Sequence, residues 1–185
     1  MKLQKIEKIA RGKFISLYHA IYKNKAGGIK VYEMVSRNHN LTEEALRVPK
    51  SNAVSMIAFN RDKTKILLNR EFRMPVNKEI YNFPCGLIDE GEDAITAAKR
   101  ELKEETGLDC VEILDTIGVS YSAIGFSDDT IETVVMIADG EFAPSTSYDE
   151  EIEANWYSKD EIKKMLKEEY FAARTQIYLY MWIQN

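Results

Sequence analysis

The chain has 185 residues, of which 45% are hydrophobic, so it can bury one substantial core and fits a single domain with a small appendage. Its formal net charge of -5 argues against nucleic acid or an anionic membrane surface as the main partner. No apolar run reaches the length of a membrane span or a signal-peptide core, and the two cysteines lack metal-ligand spacing. We therefore expect a cytoplasmic protein with reduced thiols.

The first predicted elements form a hairpin. Residues 13–22 and 29–36 alternate in polarity and are rich in Ile, Val, Tyr and Phe, and the Asn-Lys-Ala-Gly-Gly sequence between them favours a turn. The polar stretch 37–51, which contains a proline, is the one candidate boundary in the chain. We therefore predict a small N-terminal antiparallel β-subdomain at residues 1–48 and a main domain at residues 49–185.

The main domain is predicted to combine strands and helices. Hydrophobic patterns predict strands at residues 53–59, 66–72, 81–83, 111–119, 131–138 and 153–157. They predict helices at residues 93–106, 158–168 and 172–183, with residues 139–151 as a loop. Because strands and helices intermingle without a strict βαβ rhythm, we expect a mixed α/β sandwich with helices packed on a sheet.

The first of these helices has signals at both ends and an apolar stripe. Asp93 can cap its start, and Gly107 stands where a left-handed C-cap residue belongs. The apolar stripe is formed by Ile95, Ala98 and Leu102. This stripe predicts that the glutamates of the same helix lie away from the core.

The three glutamates of this helix share one edge. Glu101 and Glu105 are i,i+4 neighbours, and Glu104 is i+3 from Glu101. Like charges at this spacing oppose helix formation by about 0.2–0.5 kcal/mol per pair, and a cation between them reverses that effect. Oxygen ligands without nearby Cys or His favour Mg²⁺ or Mn²⁺ over zinc. A solvated acidic face, with Arg100 and Glu104 as an ordinary ion pair, is the alternative interpretation.

The spacing around these glutamates matches a known motif. From Gly86 to Leu108 it reads Gly, five residues, Glu, seven residues, Arg-Glu, an aliphatic residue, any residue, Glu-Glu, any residue, Gly and an aliphatic residue. This stretch resembles the Nudix box at every defining position: Gly86, Glu92, Arg100, Glu101, Leu102, Glu104, Glu105, Gly107 and Leu108. The resemblance implies a Nudix-type α/β/α sandwich with a mixed sheet, and hydrolysis of a nucleoside diphosphate linked to another group.

A narrower resemblance extends over most of the chain. Residues 71–76, 81–89 and 121–129, together with the preceding β-subdomain, resemble the ADP-ribose pyrophosphatase branch of this family. That branch implies hydrolysis of ADP-ribose to AMP and ribose 5-phosphate, and a homodimer in which the subdomain pairs two subunits and helps to close the site.

Two positions depart from that branch and leave the substrate open. The branch commonly has Pro where Ile124 stands and Glu where Asn82 stands, and both positions lie near the substrate there. Another nucleoside diphosphate sugar, such as GDP-mannose, is therefore the alternative substrate. A Nudix domain that senses a nucleotide without cleaving it is the non-enzymatic alternative, although such regulators usually carry a damaged box or an added DNA-binding domain.

The resemblance also implies a metal site. Glu101 and Glu105 are the expected ligands of Mg²⁺, with Mn²⁺ as a substitute, and Glu104 is a further ligand or a partner of the ligands. The backbone carbonyl of Cys85 is expected to complete the set, without the thiol. Arg100 is expected to orient the glutamates, because its guanidinium group offers five donors suited to carboxylates.

The remaining roles concern the attacking water and the substrate. In this branch a glutamate on a loop after the box acts as the base, which points to Glu150 or its neighbour Glu151, with a solvated loop as the alternative. Arg73 is the candidate for binding a substrate phosphate, and Phe126 for lining the ribose or phosphate end. An exposed strand-end cation and a core aromatic are their respective alternatives. The adenine of the substrate is expected to stack on a side chain of the subdomain: Tyr18, Tyr22, Tyr32 or Arg37.

Overall fold

The computed structural model describes residues 1–48, 50–146 and 151–185. Its strands are β1 (Lys2–Arg11), β2 (Ser16–Lys23), β3 (Ile29–Ser36), β4 (Ala53–Phe59), β5 (Lys65–Arg73), β6 (Lys78–Asn82), β7 (Cys85–Leu87), β8 (Asp109–Tyr121), β9 (Thr130–Asp139) and β10 (Ile152–Ser158). Its helices are α1 (Glu43–Arg47), α2 (Ala94–Thr106), α3 (Lys159–Glu168) and α4 (Ala173–Trp182), with a 3-10 helix at Met74–Val76. None of the helices in the described residues has the length and hydrophobicity needed to cross a membrane.

The chain divides into two compact units. The first comprises residues 1–52 and 119–131, and the second comprises residues 53–118 and 132–185. An antiparallel sheet in the order β1-β2-β3 belongs to the first unit, and a larger sheet has the order β10-β5-β4-β9-β8, with β6 paired to β5 and β7 paired to β4. The division at residue 48 into a dimerisation subdomain and a hydrolase domain stays a prediction.

The predicted hairpin of the first unit is confirmed, and the structure adds a strand before it. β2 and β3 pair from Ser16 opposite Ser36 to Lys23 opposite Ile29. Gly27, with a φ of 87°, supplies the left-handed residue that the turn requires. β1 pairs with β2, although its side chains are exposed or only partly buried along its whole length. Because neither face of β1 is buried, its sequence lacks the alternation by which strands are recognised.

The second unit is the predicted three-layer sandwich. Alternate residues of the central strands pack on opposite faces of the sheet, so that Met56 and Leu67 face α2 whereas Ile57 and Leu68 face α3 and α4. The cluster on the α2 side includes Val54, Met56, Leu67, Ala98, Leu102, Val134 and Met136. The cluster on the other side includes Ile57, Ile66, Leu68, Phe83, Ile162 and Leu179. The α/β/α fold class predicted from the sequence is thus confirmed.

Helix α2 begins and ends where its capping residues predict. The Asp93 carboxylate accepts a hydrogen bond of 2.7 Å from the Thr96 amide, and Gly107 adopts a φ of 79° at the C-cap. Leu102 is fully buried on the core side. The expectation that the glutamates lie away from the buried side is wrong for Glu105, which is only 7% exposed because strand β5 covers its side chain with Asn69.

Candidate active site

Strand β7 lets a carboxylate approach the backbone at Gly86. This glycine pairs with Val54 in the β4–β7 ladder, so its position is fixed by the sheet. A Cβ atom on Gly86 would lie 1.9 Å from Cδ of Glu101 and 2.2 Å from both of its oxygens. Only glycine therefore allows the Glu101 carboxylate to rest against the chain at Gly86, directly after the Cys85 carbonyl that is expected to bind metal.

Arg100 binds the other glutamates of the box. Its Nε and Nη2 donate to the two Glu92 oxygens at 3.0 and 2.9 Å. Its Nη1 donates to Glu101 at 2.8 Å and to Glu104 at 3.1 Å, and Nη2 also reaches the Leu87 carbonyl at 3.0 Å. The hydrogen bond between Arg100 and Glu92 lowers the pKa of the Glu92 carboxyl and raises the pKa of the guanidinium group. We call Arg100, Glu92, Glu101 and Glu104 the arginine cluster; its geometry supports the orienting role predicted for Arg100.

Two buried carboxylates are held instead by side-chain amides. Asn69 Nδ2 donates to Glu105 Oε2 at 2.8 Å, and Asn82 Nδ2 donates to Glu71 Oε1 at 3.0 Å. Glu105 and Glu71 are 7% and 8% exposed, and both asparagines are buried. We call these contacts the amide pairs. A neutral amide orients a carboxylate without cancelling its charge, so this region keeps negative charge at low solvent exposure.

The oxygen donors present here fit a hard divalent metal. The Glu101 and Glu105 carboxylates and the Cys85 carbonyl offer oxygen ligands, and the glycine at position 86 leaves room for the first of them. Within the described residues, however, no three His, Cys, Asp or Glu side chains converge on one point, and the Glu104 carboxylate is bound by Arg100. The ligand set Cys85, Glu101, Glu104 and Glu105 therefore stays a prediction.

The thiol of Cys85 resists ionisation. Burial, and after it the charge of Glu105, raises the pKa of this thiol to about 12, whereas the charge of Arg174 acts in the opposite direction. The thiol is therefore protonated at neutral pH. The atom of Cys85 that the resemblance implies as a metal ligand is the carbonyl oxygen, and this role stays a prediction.

The predicted phosphate-binding residue Arg73 lies at the end of β5, and Glu151, one of the two base candidates, contacts the same end of that strand. Arg73 is half exposed, and its Nη1 lies 3.7 Å from Glu71 Oε2, so an amide-held carboxylate also fixes the guanidinium group. The Phe72 amide donates to the Glu151 carbonyl at 3.2 Å, and Glu151 itself is exposed. Glu150 lies outside the described residues. The roles of Arg73, Glu150 and Glu151 stay predictions.

Phe126 belongs to the first unit, where it lines a pocket of about 270 Å³. Its side chain is 60% exposed, which excludes the core aromatic that was the alternative. Tyr22, Tyr32 and Ile124 line the same pocket. Asp128 adds a carboxylate to this pocket, and burial raises the pKa of that carboxyl. The pocket thus combines aromatic faces with polar groups, among them Asp128 and Ser127, and the substrate role of Phe126 stays a prediction.

The other candidates for base stacking are placed differently. Tyr18 is 1% exposed and donates its hydroxyl hydrogen bond to the Asn38 carbonyl at 2.7 Å, which makes it a structural residue. Arg37 lies 3.6 Å from Asp129. Of the four candidates, Tyr22 and Tyr32 therefore keep an exposed aromatic face in a pocket.

The sequence patterns missed several side chains that shape this region. Asn69 and Glu71 follow the apolar residues 66–68 within strand β5, and both are buried polar residues. This change from apolar to polar residues within one strand is a signal that a polar site lies there. Thr175 in α4 donates its hydroxyl hydrogen bond to Asn82 Oδ1 at 2.8 Å, and Arg174 Nη2 lies 3.6 Å from the Cys85 sulfur. Nothing in the local sequence around α4 indicates these contacts.

The comparisons with known proteins agree with the box and the fold. The model of the NUDIX domain matches residues 49–179. A methanol dehydrogenase activator of Bacillus methanolicus is 33% identical over 127 residues, covering 68% of this chain and 66% of that protein. An ADP-ribose pyrophosphatase of Saccharomyces cerevisiae is 38% identical over 96 residues, covering 51% of this chain and 40% of that protein. The chain thus spans less than two thirds of the length of either relative.

A solved structure shares the fold over the whole chain. The crystal structure of an ADP compounds hydrolase superposes with a TM-score of 0.75 at 21% identity, covering 100% of this chain and 95% of that one. The predicted resemblance to ADP-ribose pyrophosphatases is confirmed as a similarity by the yeast relative. Because the domain model covers most of the chain and includes the complete box, this protein belongs to the Nudix hydrolase family.

Proposed function

We propose that this chain hydrolyses the diphosphate bond of a nucleoside diphosphate sugar, with ADP-ribose as the preferred substrate and AMP and ribose 5-phosphate as products. The observation that carries the proposal is the complete box in its folded form, in which Gly86 receives the Glu101 carboxylate and Asn69 holds Glu105. The choice of ADP-ribose is supported by the yeast relative that bears the name ADP-ribose pyrophosphatase.

The metal would be held by Glu101, Glu105 and the Cys85 carbonyl, with Mg²⁺ as the proposed ion and Mn²⁺ as a substitute. When bound, a divalent metal supplies positive charge that stabilises the charge developing on the phosphates. A chain with a net charge of -5 needs such charge, because a diphosphate is itself an anion.

The side chains around the metal position have separate tasks. Arg100 orients Glu101 and Glu104 through direct hydrogen bonds. Arg73, half exposed at the end of β5, binds a phosphate oxygen of the substrate. Glu150 or Glu151 accepts the proton of the attacking water.

We propose that the first unit binds the nucleobase of the substrate and pairs two copies of the chain. Tyr22, Tyr32 and Phe126 offer aromatic faces on which a nucleobase stacks. β1 and β3 are the outer strands of a three-stranded sheet and expose apolar side chains, among them Ile9, Ile29 and Val31. We propose that two copies pair through this unit, so that light scattering should give twice the 21.3 kDa of one chain. A cytoplasmic location is part of the proposal and is supported by the two free cysteines.

Another nucleotide sugar is the second candidate substrate. Ile124 stands where the ADP-ribose branch commonly has Pro, and its side chain is 78% exposed in the pocket of the first unit. Asn82 stands where the branch commonly has Glu, and it forms one of the amide pairs. Both differences fall on side chains that line a pocket or support the box, which favours a changed substrate over a lost activity.

A substrate panel tests these proposals. We would measure kcat/KM for ADP-ribose, GDP-mannose, UDP-glucose and NADH with Mg²⁺ and with Mn²⁺, and identify the products of each. ADP-ribose should give the highest value, with AMP and ribose 5-phosphate released. A preference of about 100-fold for another compound would overturn the substrate choice. Tight nucleotide binding without hydrolysis would favour the sensing alternative.

A further inference from the structure

The start of helix α4 is fixed against the chain that leads into the box. The Tyr81 amide donates to the Tyr170 carbonyl at 2.8 Å, and the Ala172 amide donates to the Tyr81 carbonyl at 3.0 Å. One turn later, the Thr175 hydroxyl donates to Asn82 Oδ1 at 2.8 Å and accepts from the Phe83 amide at 3.3 Å. The position of this turn is therefore determined by the same strand that precedes Cys85 and Gly86.

Arg174 lies between Ala172 and Thr175, which are both hydrogen-bonded to the strand, and its guanidinium group contacts Cys85. Its Nη2 is 3.6 Å from the Cys85 sulfur, and its side chain is otherwise exposed. Among the residues that the structure describes, this sulfur is its only side-chain hydrogen-bond partner. A thiol sulfur is a weak acceptor, so the guanidinium group keeps donors available for a stronger, anionic one.

A second guanidinium group is connected to Cys85 through two buried polar side chains. Arg73 Nη1 lies 3.7 Å from Glu71 Oε2, and Asn82 Nδ2 donates to Glu71 Oε1 at 3.0 Å. The same Asn82 nitrogen lies 3.7 Å from the Cys85 sulfur, which is the atom that Arg174 also reaches. The two arginines come from different layers of the second unit, since Arg73 ends β5 whereas Arg174 belongs to α4.

We propose that Arg174 is a second phosphate-binding residue, which together with Arg73 binds the non-bridging oxygens of the substrate diphosphate. This inference rests on the proposed function, because it assumes that a diphosphate reaches the Cys85–Gly86 backbone. Two guanidinium groups beside that backbone match the spread of charge over two phosphates, and each presents a planar pair of donors suited to phosphate oxygens. The carboxylates of the box would act on the diphosphate through the metal, whereas the two arginines bind the oxygens of the diphosphate directly.

The contribution of Arg174 should appear in binding rather than in chemistry. We would measure the affinity of the α,β-methylene analogue of ADP-ribose by calorimetry with Mg²⁺, for the full-length wild type and for the Arg174→Gln and Arg174→Lys variants. Arg174→Gln should weaken binding about tenfold or more, and Arg174→Lys less, because lysine keeps the charge and loses the fork. In steady-state hydrolysis of ADP-ribose, Arg174→Gln should raise KM in the same proportion and change kcat little.

A surface arginine provides the matched control. Arg61 is exposed and pairs with Asp139, so Arg61→Gln removes the same charge without touching the box and should bind the analogue like the wild type. If Arg174→Gln also binds like the wild type while the wild type hydrolyses ADP-ribose, Arg174 does not contact phosphate and the proposed function stands. If the wild type neither binds the analogue nor hydrolyses any compound of the panel, the proposed function fails and this inference fails with it. Should Arg174→Gln lose its folded circular dichroism spectrum, Arg174→Lys decides alone: unchanged affinity and KM overturn the inference.

Discussion

The arginine cluster and the amide pairs hold carboxylates in two different ways. In the arginine cluster one guanidinium group binds three glutamates, all of them within the box. In the amide pairs a neutral asparagine holds each buried carboxylate, and its partner is 36 residues away for Asn69 and 11 residues away for Asn82. The first arrangement orients carboxylates and balances their charge with one guanidinium group. In the second arrangement the amide orients a carboxylate and adds no positive charge, although Arg73 lies 3.7 Å from Glu71.

This difference separates two tasks that a metal site requires. A carboxylate needs a fixed direction, and it needs enough negative charge to attract a cation. The arginine cluster fixes the direction of its carboxylates through contacts between residues that are close in sequence. The amide pairs add no positive charge to their carboxylates, and they join residues of different strands or of a strand and a helix. Variants that change one arrangement and preserve the other can therefore show which task limits the reaction.

The largest expected effect comes from the charge of Glu105. Replacing Glu105 with Gln keeps the shape and an oxygen that can accept from Asn69, but removes the negative charge from the proposed metal site. We expect kcat to fall by about 10³-fold or more, with a melting temperature equal to or above that of the wild type. Hydrolysis assays with Mg²⁺ and thermal unfolding would measure both.

An exposed glutamate serves as the control for that change. Glu112 lies on β8 and is exposed, so Glu112→Gln removes one negative charge from the surface and should leave kcat unchanged. Near-normal turnover of Glu105→Gln at saturating Mg²⁺ would show that the metal assignment is wrong.

The second effect concerns the approach of Glu101 to the backbone. Gly86→Ala would place a Cβ atom 1.9 Å from Cδ of Glu101, so the carboxylate has to move away. A displacement of about 1 Å in a catalytic group can reduce the rate by about 100-fold, and we expect kcat/KM to fall by that order. A Cβ atom on Gly118 meets nothing within 4 Å, which makes Gly118→Ala a matched control with expected wild-type activity. Equal activity of the two variants would mean that Glu101 does not act from its place beside Gly86.

The third effect is on stability and concerns the amide pair of Asn82 and Glu71, together with the bond from Thr175 to Asn82. Asn82→Ala removes the hydrogen bonds to Glu71 and Thr175, which are both buried. Loss of these bonds should lower the free energy of unfolding by about 1–3 kcal/mol, measured by urea denaturation. The control Asn155→Ala changes an exposed residue of β10 and should stay within about 0.5 kcal/mol of the wild type. A loss no greater than that of the control would show that this amide pair does not stabilise the fold.

The smallest effect lies at the start of α2 and depends on pH. The hydrogen bond from the Thr96 amide lowers the pKa of Asp93, so the ionised carboxylate stabilises the folded chain above the unfolded pKa of about 3.9. This contribution is lost as the pH falls through the lower, folded pKa. Asp93→Asn can accept the same bond without titrating. The wild type should therefore be slightly more stable than the variant near pH 7, and the difference in melting temperature should shrink as the pH falls below the unfolded pKa and through the lower, folded pKa. A difference that does not change with pH would contradict the capping role of the charge.

Helix α2 and the arginine cluster were predictable because their determinants are local. Asp93 and Gly107 set the ends of the helix, and Arg100 reaches glutamates within eight residues of itself. The spacing of a short motif therefore contains nearly all of the information that this part of the site requires. Hydrophobic patterns likewise predicted the two central strands, β4 and β5, to within one residue at each end.

The amide pairs and Arg174 were not predictable because their determinants are distant. Thr175 lies 93 residues from Asn82, and no local pattern relates the two. The burial of Glu105 was missed for the same reason, since Asn69 on another element covers it. β1 was missed because pairing with β2, rather than burial of one face, holds it in place. The local sequence thus predicts the helices and strands, whereas contacts between them determine which negatively charged side chains are buried.

The short segment before α4 covers one edge of the larger sheet. Residues 170–172 occupy the backbone groups of Tyr81 on the side of β6 that faces away from β5. Without this segment, an unpaired strand edge would be open to the strands of other molecules. Truncation before Tyr170 is therefore expected to yield insoluble aggregates, even though every residue of the box is retained.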